Sequence, residues 1–217
     1  MAQRVLEVSL ACLLLCIASP LLLLAVVVMC WDSQGSPIFR QRRMSQGGES
    51  FWLFKIRTMY LNRDGDGDHV EDIATSLYDP RITPVGRFLR KTHLDELLQL
   101  VNVLLGDMRF IGPRPMTVKI AEARESETPR YRERLSVKPG ILGLAQLCGT
   151  EELLPRRHLD QLELDLFYIQ NRSLGLDLWI LYATVRLLLR GQPFDPAEIG
   201  GALQMYAITS EPVQEAA

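Results

Sequence analysis

The chain has 217 residues, enough for one substantial core or two small domains. Its 24 Lys and Arg nearly balance 26 Asp and Glu, giving a net charge of -2, so no basic excess points to nucleic acid. Cys12, Cys16, Cys30 and Cys148 have no metal-ligand spacing and three share one apolar stretch, which argues against a disulfide framework or a zinc site and fits a reducing compartment.

From Leu10 to Trp31 the sequence carries no ionisable group other than thiols. As one helix this stretch is roughly 33 Å long, enough to cross a bilayer core. A cleavable leader is disfavoured, because Glu7 follows Arg4 and no A-x-A-like site precedes Trp31. Pro20 lacks an N–H and its ring meets the carbonyl of Cys16, so a kink is expected at Ser19-Pro20. Basic residues flank both ends, Arg4 before and Arg40, Arg42 and Arg43 after. The positive-inside rule then places both flanks on the cytoplasmic face. A re-entrant helix-break-helix satisfies both.

Beyond Asp32 the pattern becomes β-like. Pro37 to Arg42 and Phe51 to Arg57 read as two strands joined by a turn at Ser45-Gln-Gly-Gly48. The polar stretch from Asn62 to Asp72 places Asp64, Asp66 and Asp68 like the start of a calcium loop. His69 in the glycine slot and Thr75 in the bidentate-acid slot reject an EF-hand, leaving a solvated loop. Thr83-Pro84 caps and opens a long helix that runs to Gly106-Asp107. Leu94, Leu97, Leu98, Val101, Leu104 and Leu105 form its apolar face, with Asp95, Glu96 and Gln99 opposite. Gly112-Pro-Arg-Pro115 is a rigid turn. A charged helix follows from about Val118 to Glu133, interrupted near Pro129, and Lys138 to Gly143 is a loop. Two helices are expected near Leu159 to Asn171 and Leu176 to Leu189, the second so apolar that it suits a core or a membrane surface. No Lys or Arg follows Arg190, whereas Asp195, Glu198, Glu211 and Glu215 do, so the chain ends in an acidic tail.

Two adjacent acids on a helix are usually solvated or paired at i,i+4. For Asp95 and Glu96 the neighbourhood argues otherwise: Arg87, Arg90 and Lys91 come just before, Arg109 and Arg114 just after. Acids that hold a divalent cation, among arginines that hold phosphate, suit a nucleotide diphosphate. A carboxylate can also be the nucleophile at phosphorus.

Ordered motifs support this reading. They are Ser19-Pro20, Gly35-Ser-Pro-Ile-Phe-Arg-Gln-Arg42, Phe54-Lys-Ile-Arg-Thr-Met59 and Asp79-Pro-Arg-Ile-Thr-Pro-Val-Gly-Arg87. Next come Leu89-Arg-Lys-Thr-His-Leu-Asp-Glu-Leu97, Leu105-Gly-Asp-Met-Arg109, Gly112-Pro-Arg-Pro115 and Val137-Lys-Pro-Gly-Ile-Leu-Gly-Leu-Ala-Gln146. Leu164-Asp-Leu-Phe-Tyr168 through Asn171 to Asp177 closes the series. Over roughly residues 1 to 190 their order resembles the bacterial sugar transferases, the small monotopic polyprenyl-phosphate phosphoglycosyl transferases. The fold implied is α+β and mostly helical, with an N-terminal re-entrant membrane helix (1–31), a small β-hairpin and amphipathic helices at the membrane interface. Residues 32–190 would form the catalytic domain and 191–217 a tail.

The resemblance implies that Asp95 attacks the sugar-bearing phosphate of a UDP-sugar and expels UMP, and that Glu96 binds Mg²⁺. Undecaprenyl phosphate then takes the phosphosugar from the enzyme, the first membrane step of a glycoconjugate pathway. Arg90 and Arg114 would contact phosphate, Lys55 and Arg57 belong to a substrate-side motif, and Asp165 and Asp177 match functional acids. Leu142, where the family often has Thr, departs from the pattern. The implied setting is the cytoplasmic face of the bacterial inner membrane, with membrane lipids as partners, no nucleic acid, and a homo-oligomer left open. Two other readings are a DxD-type glycosyltransferase built on Asp64, Asp66 and Asp68, which would release UDP, and a non-enzymatic membrane adaptor indifferent to Asp95. The absence of βαβ alternation upstream counts against the first.

Overall fold

A computed structural model describes residues 2–61, 79–147, 157–191, 194 and 199. The acidic loop, Cys148 and nearly all of the tail lie outside the described residues. Helix α1 (Ala2–Asp32) leads into the hairpin β1 (Ile38–Met44) and β2 (Ser50–Ile56). Helix α2 (Pro84–Thr92), a 3₁₀ turn (Leu94–Leu98) and α3 (Gln99–Leu105) follow. Then come β3 (Arg109–Ile111), α4 (Val118–Glu127), a second 3₁₀ stretch (Pro129–Ser136), β4 (Gly140–Leu142) and the short α5 (Leu144–Leu147). Helices α6 (Arg157–Gln170) and α7 (Leu174–Arg190) complete a mostly helical fold with one small antiparallel sheet.

Helix α1 is long and apolar enough, by length and composition, to cross a membrane. It is also one uninterrupted helix with Pro20 inside it, so the expected break in helical structure at Ser19-Pro20 is corrected here. The reason lies in Ser19. Pro20 cannot donate to the Cys16 carbonyl, and the Ser19 hydroxyl donates to it instead, at 2.9 Å.

One seam of α1 packs against the rest of the molecule through Ala11, Leu15, Ala18, Leu22, Ala25 and Met29. Their alternating spacing of four and three residues keeps one stripe facing inward. Burying a side chain such as Leu22 or Met29 is worth roughly 1.5–3 kcal/mol. Polar contacts fix both ends. Arg4 donates to the Val103 and Leu104 carbonyls at 2.7 and 2.9 Å, where the C-terminal dipole of α3 favours a cation. Glu7 pairs with Arg109 at 2.8 Å. At the other end the Val85 N–H donates to Asp32, and Arg57 gathers the Ser33, Gln34 and Gly35 carbonyls. Leu13, Ile17, Leu23 and Leu24, away from the seam, remain exposed.

The expected hairpin forms, pairing Ile38 with Ile56 through Met44 with Ser50. One edge of β2 finds its partner in Asn102, a fully buried side chain of α3. Its amide donates to the Trp52 carbonyl at 2.6 Å and accepts from the Phe54 N–H at 3.1 Å. The side chain replaces a third strand and holds β2 against α3. Nothing in the sequence singles Asn102 out. The parallel β3–β4 pair also went unforeseen, since three residues carry no readable period. It requires close backbone approach: a Cβ on Gly140 would lie 2.1 Å from the Gly112 nitrogen.

Helices α6 and α7 fall where the periodicity predicts, and α7 has two characters. Leu176, Ile180 and Ala183 are buried beside Tyr168, Leu144 and Leu147, whereas Leu174, Leu178, Tyr182, Val185 and Leu189 form an exposed apolar face.

Candidate active site

The long helix expected from Thr83 to Gly106 is three pieces. Thr83 does cap its start, accepting from the Gly86 N–H at 2.8 Å, and Gly106 (φ 91°) does end it. Between them His93 adopts a left-handed conformation (φ 56°, ψ 18°), the one non-glycine residue with positive φ among the described residues. That conformation stops α2 and starts the tight turn Leu94–Leu98. Such backbones persist only where the surroundings enforce them, and they cluster at functional sites.

The reversal changes which side chains face inward. Asp95 and Gln99, expected opposite the apolar face, are buried, at 7% and 3% exposure. Leu105, expected inside, is 64% exposed, and Leu100 and Val103 take the inner face of α3. Asp95 therefore lies in a small polar enclave. Burial raises its pKa above the ordinary carboxylate value, while the charges of Lys55 and Arg90 pull it back.

Glu96, next in the chain, meets two cations. Lys55 Nζ lies 2.9 Å and the Arg114 guanidinium 3.0 Å from the same oxygen, Oε1. Despite burial, these charges hold Glu96 ionised well below the usual glutamate range. Lys55 comes from β2 and Arg114 from the Gly112–Pro115 loop, so three segments far apart in sequence converge on one carboxylate. Arg90 donates from Nε to the Thr58 hydroxyl at 2.8 Å. Gly86 lets α2 lie that close, for a Cβ there would fall 2.0 Å from the Thr58 carbonyl oxygen. Beside the enclave, Arg87, Phe88 and Lys91 are exposed.

The other expected site residues lie elsewhere. Arg57, just after β2, is buried against the segment that follows α1. Asp165 is 1% exposed and paired with Arg134 at 2.6 Å. Asp177 accepts from the Tyr168 hydroxyl at 2.9 Å; its pKa is raised mainly by burial, that hydrogen bond and Arg109 opposing. Arg134, just past the charged helix expected to end at Glu133, was not singled out by the sequence. Ser19 acts within α1.

A divalent cation fits beside Asp95 and Glu96 only as a partly hydrated ion. No third His, Cys, Asp or Glu completes a metal-binding group among the described residues. Magnesium is commonly bound that way, by one or two carboxylates with water and substrate phosphate supplying the rest. Both cations grip Oε1 of Glu96, so neither of these contacts occupies Oε2.

A family model described as bacterial sugar transferase matches residues 1–191. The chain is 41% identical over 194 residues to a UDP-glucose:undecaprenyl-phosphate glucose-1-phosphate transferase of Caulobacter vibrioides, covering 86% of this chain and 69% of that protein. It is 39% identical to a protein of the same name from Klebsiella pneumoniae, over 84% of this chain and 39% of that one. It is 35% identical to a UDP-N-acetylgalactosamine-undecaprenyl-phosphate N-acetylgalactosaminephosphotransferase of Aeromonas hydrophila, over 87% and 44% respectively. The match thus spans less than half of two of these three relatives. With the family model matching nearly the whole described chain, the protein belongs to the bacterial sugar transferase family.

Proposed function

We propose that the chain moves a sugar 1-phosphate from a UDP-sugar to undecaprenyl phosphate through a phosphosugar ester on Asp95. The observation that carries this is a buried carboxylate, Asp95, beside a second one, Glu96, held ionised by Lys55 and Arg114. The names of the relatives supply both substrates.

In the first half-reaction an Asp95 oxygen attacks the sugar-bearing phosphorus, the bond to UMP breaks, and UMP leaves with the electron pair. In the second, an oxygen of undecaprenyl phosphate attacks the same phosphorus and Asp95 departs as a carboxylate. Negative charge grows on the transferring oxygens in both, and Arg114, Lys55 and Arg90 stand ready to oppose it. A bound Mg²⁺ would neutralise the diphosphate; Glu96 Oε2 and substrate oxygens would hold it. Burial of Asp95 limits the water that could hydrolyse the ester.

The acceptor phosphate lies at a lipid headgroup plane, and α1 supports that placement. Both its ends are tied to the globular body, Arg4 and Glu7 at one and Asp32 at the other, while its outer faces are apolar. The proposed topology therefore keeps both ends of α1 on the cytoplasmic side of the inner membrane, with the outer face of α1 and the exposed face of α7 resting on lipid. Thiol labelling at positions 2 and 45 from outside the cell should fail; labelling of position 2 alone would mean a spanning helix.

The decisive test of the chemistry omits the acceptor. Enzyme and UDP-glucose or UDP-N-acetylgalactosamine should release up to one UMP per active site, and the protein should gain the mass of one sugar phosphate at Asp95. Release of UDP, or no labelled protein, overturns the proposal.

A further inference from the structure

Arg114 sits in a loop that cannot organise itself. Pro113 and Pro115 lack N–H groups, so Gly112-Pro-Arg-Pro115 has few donors of its own, and neighbouring segments hold its carbonyls. The Pro113 carbonyl accepts from the Gly140 N–H at 3.0 Å. The Pro115 carbonyl accepts from Arg43 at 3.2 Å, and that of Met116 from the Met44 N–H at 2.8 Å. The carbonyl of Arg114 itself accepts from Arg134 Nη2 at 3.1 Å.

Arg134 is an unusual donor for that task. It is 5% exposed, and its Nε and Nη2 lie 2.8 and 2.6 Å from Asp165 Oδ2. Its Nη1 donates to the Tyr131 hydroxyl, and its guanidinium carbon stands 4.8 Å from the Tyr131 ring centre. A planar fork with five donors can make two contacts to Asp165 and still serve Tyr131 and the Arg114 carbonyl; an ammonium has only three donors. We infer that Arg134, oriented by Asp165, is a positioning residue that sets the Arg114 guanidinium against Glu96 and substrate phosphate.

This inference rests on the phosphate-gripping role proposed for Arg114. It gives Asp165, 31 residues away from its partner, a part in substrate binding without substrate contact. The buried pair touches the backbone of the loop, and the loop presents the side chain.

The test uses the full-length enzyme in detergent or nanodiscs with UDP-glucose. Replacing one member of the pair would strand a buried charge and risk the fold. The central variant is therefore Arg134→Met together with Asp165→Leu, which removes both charges and keeps volume. It should retain melting temperature, raise the KM for UDP-glucose about tenfold, and change kcat less. In an Arg114→Ala background the same pair of substitutions should change KM no further, because its target is gone. A readout without turnover runs in parallel: the Arg114 guanidinium NMR signals, assigned by their loss in Arg114→Lys, should collapse toward the free-arginine position in the paired variant. Unchanged KM with unchanged Arg114 signals, or a KM effect that persists undiminished in Arg114→Ala, overturns the positioning role. If the parent enzyme releases no UMP yet the Arg114 signals still collapse, the reaction reading fails and the positioning stands.

Discussion

Two acid–base clusters in this molecule use the same residue types to opposite ends. Around Glu96, Lys55 and Arg114 the three side chains are 14–25% exposed, and both cations crowd one oxygen. Around Asp165 and Arg134 the side chains are 1% and 4% exposed, and the guanidinium also reaches Tyr131 and the loop backbone. Charges that must exchange partners during a reaction need to stay reachable. Charges that hold a shape can be sealed, because nothing has to enter. Breaking each cluster should therefore damage a different quantity.

The largest effect should come from Asp95→Asn. The amide is a far weaker nucleophile, so single-turnover UMP release and the sugar-phosphate adduct should both vanish, while UDP-sugar binding largely persists. Glu96→Gln should come next, with activity down about a hundredfold, a smaller loss of melting temperature than the sealed pair would show, and loss of the rescue that excess Mg²⁺ gives after EDTA. Asp165→Asn should behave in reverse. It leaves Arg134 buried without its anion, at a cost of about 3–5 kcal/mol seen as early thermal or denaturant unfolding. If Asp165→Asn melts normally and Glu96→Gln unfolds, the division between the clusters is wrong.

Much of this layout could be anticipated, and the failures have physical causes. Local patterns carried the hairpin, the Thr83 cap, the Gly106 stop and helices α6 and α7. The motif series also pointed to Asp95, Glu96 and Arg114. The left-handed His93 was not legible, because an apolar spacing of three and four runs through a 3₁₀ turn much as through an α-helix. Arg134 was opaque for another reason: Asp165 stood out by resemblance, but nothing local shows that it pairs with an arginine 31 residues away. Asn102 is hidden likewise, since its value is a strand edge supplied 50 residues earlier.

Smaller changes should sharpen the comparison. Arg114→Lys keeps the charge but loses the planar fork, so UDP-sugar turnover should drop about tenfold with the fold intact. Acidification should separate the two site carboxylates. The pKa of Asp95 is raised by burial and, in the proposed mechanism, only the ionised form attacks, so single-turnover rates should fall as pH drops toward a value above the ordinary aspartate range. Glu96 stays ionised through that window because Arg114 and Lys55 lower its pKa. The same upward shift means that ionised Asp95 weighs against folding above its own pKa. At neutral pH the inactive Asp95→Asn protein should then melt somewhat higher than the parent, a gain in stability at the cost of function.

The seam along α1 has a practical corollary. Deleting the first thirty residues to obtain a soluble enzyme would uncover the groove lined by Phe51, Leu53, Val103, Ile56 and Leu89. It would also remove Arg4 from the end of α3 and Glu7 from Arg109. Such a fragment should aggregate or bind hydrophobic dyes, and solubilisation has to replace lipid on the outer faces of the helix while leaving its inner face in place.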